Sequence, residues 1–222
     1  MKLYIVRHGA PDYDLDCLTP EGHEQAKLAA EHLKKFKIDR VYSSPLGRAK
    51  QTCSYYCDLV NKSFEILPFA KELEWGNFKG DPYADGNPWD SSEQLMYEQH
   101  RIPSFDDWKN DPLFANDRVV TDVEMRIKEI DKFLANEGYV YDRGAFKVER
   151  NNEDSIALFC HGGFTCALFG HLMNIPFPVS CTHFLFELTS ITLIEFEKAE
   201  LGSYTLPKCV FQNDYSHLKQ GI

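Results

Sequence analysis

The sequence predicts a three-layer α/β/α sandwich with a mostly parallel central sheet and an inserted cap. Two observations lead to this fold class. In the first third of the chain, short apolar runs alternate with stretches whose apolar residues recur at helical spacing. A βαβαβ order of this kind gives a parallel sheet covered by helices on both sides. A later apolar run, Ser155–Cys160, predicts a central strand. The length of 222 residues fits one domain over residues 1–222, with the cap at about 81–118.

The first strand and helix follow from simple signals. Residues 3–6 are all apolar and predict the strand. Thr19 followed by Pro20 predicts a helix start, because threonine caps helix N-termini and proline fits the first turn. The apolar residues that then share one helical face are Ala26, Ala29, Ala30, Leu33 and Phe36.

The next units repeat this order. Residues 41–43 predict a second strand, and Ser44-Pro45 repeats the cap-then-proline signal. The following helix has its buried face at Ala49, Cys53, Tyr56 and Val60. Residues 66–67, ahead of Pro68, predict a short third strand.

The second half begins with the cap, which we expect to be partly helical, since a structureless loop of that length is unusual inside a compact domain. A helical stripe follows at Val119, Val123, Ile127, Ile130 and Leu134. Residues 139–149 predict a hairpin that turns at 142–144. After the central strand comes a helix marked by Phe164, Ala167, Leu168 and Leu172. Residues 191–196 and 204–212 are the last strands, and Pro207 predicts that the latter lies at a sheet edge.

Composition excludes several classes of protein. The net charge of −10 and pI near 5.3 argue against nucleic-acid binding, which needs a basic face. Seven scattered cysteines without a CxxC pair argue against a disulfide framework and favour the cytoplasm. No apolar stretch approaches the ~20 residues that span a bilayer, so we expect no membrane partner. The strand that begins at Met1 leaves no room for a cleavable leader.

Two histidines stand at predicted strand ends. His8 follows residues 3–6, and His161 follows Ser155–Cys160. Open α/β sheets bind ligands at the carboxyl ends of their strands. A neutral histidine is a nucleophile when its second ring nitrogen is held by a hydrogen bond, and the nearby cations Arg7 and Arg48 are expected to lower the pKa of His8. Each histidine alone has an ordinary explanation as a hydrogen-bonded core residue, but two at strand ends are hard to explain as packing.

Two arginines and two glutamates complete the set of candidates. Arg7 and Arg48 are predicted to clamp a phosphoryl group, because the guanidinium fork matches phosphate geometry. Arg48 lies in the first turn of its helix, where anions bind favourably. Its alternative is an exposed helix arginine. Glu72 and Glu74 both precede Gly76, and either is a candidate proton donor or a plain surface charge.

Taken together, these motifs resemble the histidine phosphatase superfamily, which includes phosphoglycerate mutase and broad phosphomonoesterases. The resemblance runs from Leu3 to about Phe196 and rests on four motifs: the tripeptide RHG at residues 7–9; SSP at residues 43–45, followed by Arg48 and a Gln-Thr pair; Glu72 ahead of the glycines at 76 and 80; and His161 before two glycines. It implies a phosphohistidine at His8 and a hydrogen bond from His161 to the transferring phosphoryl group. By the family's spacing the proton donor is Glu72, with Glu74 as the alternative. No metal or cofactor is implied.

Departures from the mutase pattern favour hydrolysis. Residues 10–13 and 18–22 differ from the mutase sequences that hold phosphoglycerate. We therefore expect a phosphomonoester hydrolase of the histidine acid phosphatase type acting on a small anionic metabolite. Mutase-type phosphotransfer and a non-catalytic protein that binds a phosphorylated ligand are the alternatives. Trp89 and Trp108 of the cap are expected to surround the leaving group, while the sequence indicates neither the substrate nor the oligomeric state.

Overall fold

The computed structural model describes residues 1–76, 100, 102, 104–111, 114 and 117–219. Most of the predicted cap, including Trp89, lies outside these residues. The helices are α1 (Pro20–Leu33), α2 (Gly47–Val60), α3 (Arg118–Asn136), α4 (Gly162–Met173) and α5 (Phe177–His183). The strands are β1 (Lys2–Arg7), β2 (Pro11–Asp12), β3 (Cys17–Leu18), β4 (Arg40–Ser43), β5 (Glu65–Ile66), β6 (Tyr139–Asp142), β7 (Ala145–Val148), β8 (Ser155–Cys160), β9 (Ile191–Glu195), β10 (Tyr204–Thr205) and β11 (Lys208–Asp214).

Six strands form the central sheet in the order β11-β9-β1-β8-β4-β5. Strand β8 pairs in parallel with both β1 and β4, and β4 pairs in parallel with β5. Strand β9 is antiparallel to its neighbours β1 and β11. The mostly parallel sheet predicted from the sequence is thereby confirmed.

Alternate residues of β1 point into different apolar clusters. Leu3 and Ile5 pack in a cluster with apolar residues of α3, α4 and α5. Tyr4 and Val6 pack in a second cluster with residues of α1 and α2. Because successive side chains of a strand face opposite sides of the sheet, the two clusters lie on its two faces. The three-layer α/β/α arrangement follows.

The helix starts agree with the sequence in one case and differ in another. Thr19 caps α1, its hydroxyl accepting a hydrogen bond from Gly22 N at 3.1 Å. Ser44 does not cap α2, which begins at Gly47 with Leu46 at the N-cap and no side-chain cap of its own. The hydroxyl of Ser44 is used elsewhere, since it accepts from Leu46 N and contacts His161. The prediction of a second cap-then-proline start was therefore wrong.

The predicted hairpin is present, with β6 and β7 joined at Arg143 and Gly144, both at positive φ. The predicted strand at 204–212 is instead two strands, because Pro207 separates β10, which pairs with β7, from β11, which pairs with β9 at the edge of the central sheet. In the described part of the chain no single helix is long and apolar enough to cross a membrane, although the bent pair of α4 and α5 passes that test together.

Candidate active site

Three adjacent strands end at one place on the sheet. Arg7 at the end of β1 is opposite Cys160 of β8, and Ser43 at the end of β4 is opposite Phe159. His8 N donates to Cys160 O at 3.0 Å, which continues the β1–β8 pairing beyond the strand. The residues that follow the three strands, among them His8 and His161, are therefore brought together by backbone pairing alone.

His8 is held in one tautomer. Its Nδ1 lies 2.8 Å from Gly9 O, a carbonyl that can only accept, so Nδ1 carries the proton of the neutral ring. Its Nε2 is then an unprotonated acceptor, and Arg48 Nε donates to it at 3.3 Å. The ring thus presents a lone pair at Nε2, as a nucleophile requires.

The imidazole of His8 resists protonation. Burial of the side chain is the largest cause, and it lowers the pKa of His8 from 6.5 to about 3. The guanidinium groups of Arg7 and Arg48 also lower this pKa, while the Gly9 carbonyl and Asp16 raise it. The direction predicted from the two arginines is correct, but desolvation contributes more than either charge.

The loop after His8 is pressed against the start of α1. A Cβ on Gly9 would lie 2.6 Å from Gly22 O, and a Cβ on Gly22 would lie 2.1 Å from Ala10 O. Gly9 N also donates to Thr52 Oγ1 of α2 at 3.1 Å. The backbone beside the candidate nucleophile is therefore fixed by two helices.

His161 lies next to His8, with the ring centroids 5.0 Å apart. Its Nε2 is 2.7 Å from Ser44 Oγ, and its Nδ1 is buried with no hydrogen-bond partner among the described residues. Burial, followed by the charge of His8 and of the arginines, keeps the pKa of His161 well below its ordinary value. Ser44 Oγ already accepts from Leu46 N, so its own proton is available for His161 Nε2. In that arrangement the proton of His161 is at Nδ1, ready to be donated.

Arg7 presents a second unsatisfied donor. Its Nη1 donates to Phe186 O, whereas its Nε is buried and without a hydrogen-bond partner among the described residues. A Cβ on Gly162 would lie 3.3 Å from both Nε and Cζ of Arg7. The glycine after His161 therefore leaves the space that this guanidinium occupies.

Arg48 is buried and is oriented from three sides. Its Nε faces His8, and its Nη1 forms an ion pair with Asp16 Oδ1 at 2.6 Å. The other carboxylate oxygen of Asp16 accepts from Gly47 N at 2.6 Å, which supplies α2 with the N-terminal acceptor that its own sequence lacks. The guanidinium carbon lies 5.3 Å from the centroid of the Tyr13 ring.

The two glutamate candidates have different surroundings. Glu72 binds the N-terminus of α4, accepting from Phe164 N at 2.8 Å and from Gly163 N at 3.2 Å. Glu74 is more than half exposed and forms an ion pair with Lys71 at 2.9 Å, which lowers the pKa of Glu74. Glu72 thus lies beside the turn that carries His161, while Glu74 is held at the surface.

A cavity of about 590 Å³ opens above these groups. The residues that line it include Arg7, Arg48, Glu72, Glu74 and Gly162. His8 and His161 are fully buried and are themselves not among the residues that line it, whereas their neighbours Arg7 and Gly162 are. Within the described ranges, no group of three or more His, Cys, Asp or Glu side chains is arranged to hold a metal ion.

The structure brings together Arg7, His8, Arg48, Glu72 and His161. It also adds Asp16, which pairs with Arg48. The sequence analysis missed Asp16 because no local pattern links the two residues. One expectation was wrong: Trp108 is buried among Phe114 and Phe177 in the core and does not line this cavity.

Comparison with known proteins identifies the class. Residues 3–138 match the family model described as histidine phosphatase superfamily (branch 1). The chain therefore belongs to the histidine phosphatase superfamily, as the sequence motifs predicted.

Individual relatives carry phosphatase and mutase names. A Hydrogenobacter thermophilus protein named "Putative phosphoserine phosphatase 2" is 26% identical over 171 residues, 73% of each chain. A phosphoglycerate mutase of Mesorhizobium japonicum is 36% identical over 72 residues, 28% of this chain and 35% of its own. A mutant phosphoserine phosphatase from Entamoeba histolytica, solved with phosphoserine, has a TM-score of 0.67 and 20% identity over 98% of both chains, which shows a common fold. The family match and the phosphatase name of the 26% identical relative support phosphoryl hydrolysis of a small phosphate substrate, while the solved structure shows the fold alone.

Proposed function

We propose that the protein is a phosphomonoesterase that works through a phosphohistidine at His8. One observation carries the proposal: Arg7 Nε and His161 Nδ1 are buried without a hydrogen-bond partner among the described residues, on the two residues that adjoin His8 in sequence and in space. Buried polar groups are normally satisfied, so two such donors favour a bound anion as their acceptor. The oxygens of a phosphoryl group, next to a nucleophile, would satisfy both.

In the first step His8 Nε2 attacks phosphorus and the bond to the ester oxygen breaks. Arg7, Arg48 and His161 donate to the three equatorial oxygens, where negative charge is spread in the transition state. Arg48 Nε donates to His8 Nε2 in this structure, so that hydrogen bond is exchanged for one to a phosphoryl oxygen when phosphorus approaches the ring. The low pKa of His8 keeps the ring neutral before attack.

Glu72, starting as a protonated carboxyl group, is proposed to give its proton to the leaving oxygen; the resulting carboxylate takes a proton from water in the second step. Three backbone N–H groups hold its carboxylate: those of Leu73, Gly163 and Phe164. This fixes the side chain at the cavity wall. Water then attacks phosphorus, the P–N bond breaks, and inorganic phosphate leaves with His8 neutral again.

The test is a panel of phosphomonoesters assayed with the purified protein in EDTA, with brief mixing of labelled substrate to trap the intermediate. We expect release of inorganic phosphate, activity that survives chelation, and an acid-labile, alkali-stable phosphoenzyme. Hydrolysis without any trapped label in rapid-quench experiments would contradict the phosphohistidine. Including 3-phosphoglycerate with a bisphosphoglycerate donor distinguishes transfer to water from transfer to a second hydroxyl.

A further inference from the structure

The wall of the cavity beyond the phosphoryl end is apolar. Its large side chains are Tyr13, Leu73, Trp75, Phe184, Leu185 and Phe186. Two thiols, those of Cys166 and Cys181, lie in the same wall. The wall therefore offers a leaving group few polar contacts and a large area for apolar contact.

Three of these side chains are exposed at the mouth of the cavity. The exposed fractions are 68% for Tyr13, 67% for Leu185 and 40% for Trp75. Single exposed apolar side chains are ordinary, but several around one cavity indicate a binding surface. The solvent-facing area of Tyr13 and Leu185 is available to a ligand that enters between them.

The charges of the wall disfavour an anionic leaving group. Among the described lining residues, the cation besides Arg7 and Arg48 is Lys71, which is already paired with Glu74. Glu72, Glu74 and Glu187 supply three carboxylates to the same wall. Since Lys71 and Glu74 neutralise each other, a carboxylate on the substrate would meet the like charge of Glu187. Among the described lining residues outside the phosphoryl end, no cation without a carboxylate partner is present to pair with it.

Arg7 and Arg48 lie at the phosphoryl end of the cavity. Arg7 Nη1 donates to Phe186 O, and Arg48 is bonded to Asp16 through Nη1 and to His8 through Nε. In the proposed reaction their positive charges neutralise the phosphoryl group, which is common to every substrate. Selection among substrates therefore falls to the apolar wall.

We propose that the leaving group of the natural substrate is apolar and carries no carboxylate, for example an alkyl or aryl alcohol. This inference rests on the proposed phosphomonoesterase function and adds the substrate class. A cavity of about 590 Å³ lies within the range of roughly 300–1,000 Å³ typical of sites for small organic molecules. The expected substrate thus differs from phosphoserine and phosphoglycerate, which both carry a carboxylate.

The test compares two primary alkyl phosphates, 2-phenylethyl phosphate and 3-phosphoglycerate. Both leaving groups are primary alcohols that need the same protonation, so the chemical step alone does not strongly favour either. We expect kcat/KM to be about 10-fold or more higher for 2-phenylethyl phosphate, as burial of an aromatic side group predicts. Leu185→Lys, which places a cation at the mouth, should reduce this ratio about 5-fold or more by weakening apolar contact and attracting the carboxylate. The matched control is Leu201→Lys, because Leu201 is equally exposed and does not line the cavity.

The outcomes separate the two proposals. Faster hydrolysis of 3-phosphoglycerate than of 2-phenylethyl phosphate would overturn the apolar leaving group while the phosphatase reaction stands. The same conclusion would follow if Leu185→Lys and Leu201→Lys had the same ratio of kcat/KM for the two esters. Failure to hydrolyse these esters and p-nitrophenyl phosphate would overturn the proposed function itself, and the substrate class with it. Inhibition by inorganic phosphate, which reports only the phosphoryl end, should remain similar in all variants.

Discussion

The two ends of the cavity are built differently. At the phosphoryl end, His8 and His161 are fully buried and fixed by strand pairing and short hydrogen bonds. At the leaving-group end, Tyr13 and Leu185 are about two-thirds exposed and lie outside regular strands and helices. The comparison shows that one end is set by the backbone and the other by exposed side chains, so in our proposal the reaction and the choice of substrate depend on separate parts of the chain.

His8→Ala is expected to have the largest effect on activity of any substitution at the phosphoryl end. Loss of the nucleophile should lower kcat by roughly 10⁴-fold or more for every substrate, because no other group replaces it. Steady-state rates and trapping of labelled phosphoenzyme measure the effect, with circular dichroism to verify folding. His23→Ala is the control, since His23 is hydrogen-bonded to Tyr55 away from the cavity. Retained label in His8→Ala would place the nucleophile elsewhere.

Glu72→Gln is expected to have the next largest effect. General acid catalysis contributes roughly 10²–10⁴ in rate, so kcat should fall by about that factor with an alkyl ester and much less with p-nitrophenyl phosphate, whose leaving group needs no proton. Glu74→Gln is the matched control on the same cavity wall, because its carboxylate is paired with Lys71 at the surface. A larger loss of kcat in Glu74→Gln than in Glu72→Gln would assign the proton donor to Glu74.

Asp16 supports Arg48 at the phosphoryl end, and its replacement should have a smaller effect. Asp16→Ala removes the partner of Arg48 Nη1 and of Gly47 N, so kcat/KM should fall by about 10-fold as Arg48 loses its fixed orientation. Asp16→Asn keeps an acceptor oxygen and should retain more activity. The inhibition constant of inorganic phosphate should rise in parallel with the loss.

The neighbouring exposed residue Asp14 provides the control for this prediction as Asp14→Asn. Tighter phosphate binding in Asp16→Asn would contradict an orienting role. It would show instead that the carboxylate competes with phosphate for Arg48.

Burial at the phosphoryl end also predicts a pH dependence of stability. His8 has a pKa of about 3 when folded and about 6.5 when unfolded, so the unfolded chain binds a proton that the folded chain does not. The free energy of unfolding should therefore fall as pH decreases from 6.5 toward 3, and His8→Ala should reduce the slope by up to about 1.4 kcal/mol per pH unit.

Urea unfolding at pH 7, 6 and 5 measures this slope. His183→Ala, which changes an exposed histidine, should leave the slope as in the parent protein. Parallel curves for the parent and His8→Ala would contradict the burial of a neutral imidazole.

Much of the phosphoryl end could be predicted from sequence because its geometry follows from local order. A buried strand such as β1 or β8 dictates where its last residue lies, so His8 and His161 meet once the sheet is parallel. The contact between Asp16 and Arg48 joins residues 32 positions apart through a turn with no periodic signal. The prediction for Trp108 was wrong because an aromatic residue in an irregular segment is equally typical of a core and of a binding site.

The contact between Gly9 and Gly22 has a consequence for how such a sequence can vary. Each backbone occupies the space that a side chain on the other segment would need, so alanine at either position moves the loop that carries His8. Replacing both adds two overlaps and relieves neither. A large and a small core residue can exchange sizes through compensating substitutions. No such compensation is open to this pair, so we expect both positions to remain glycine while the surrounding sequence changes.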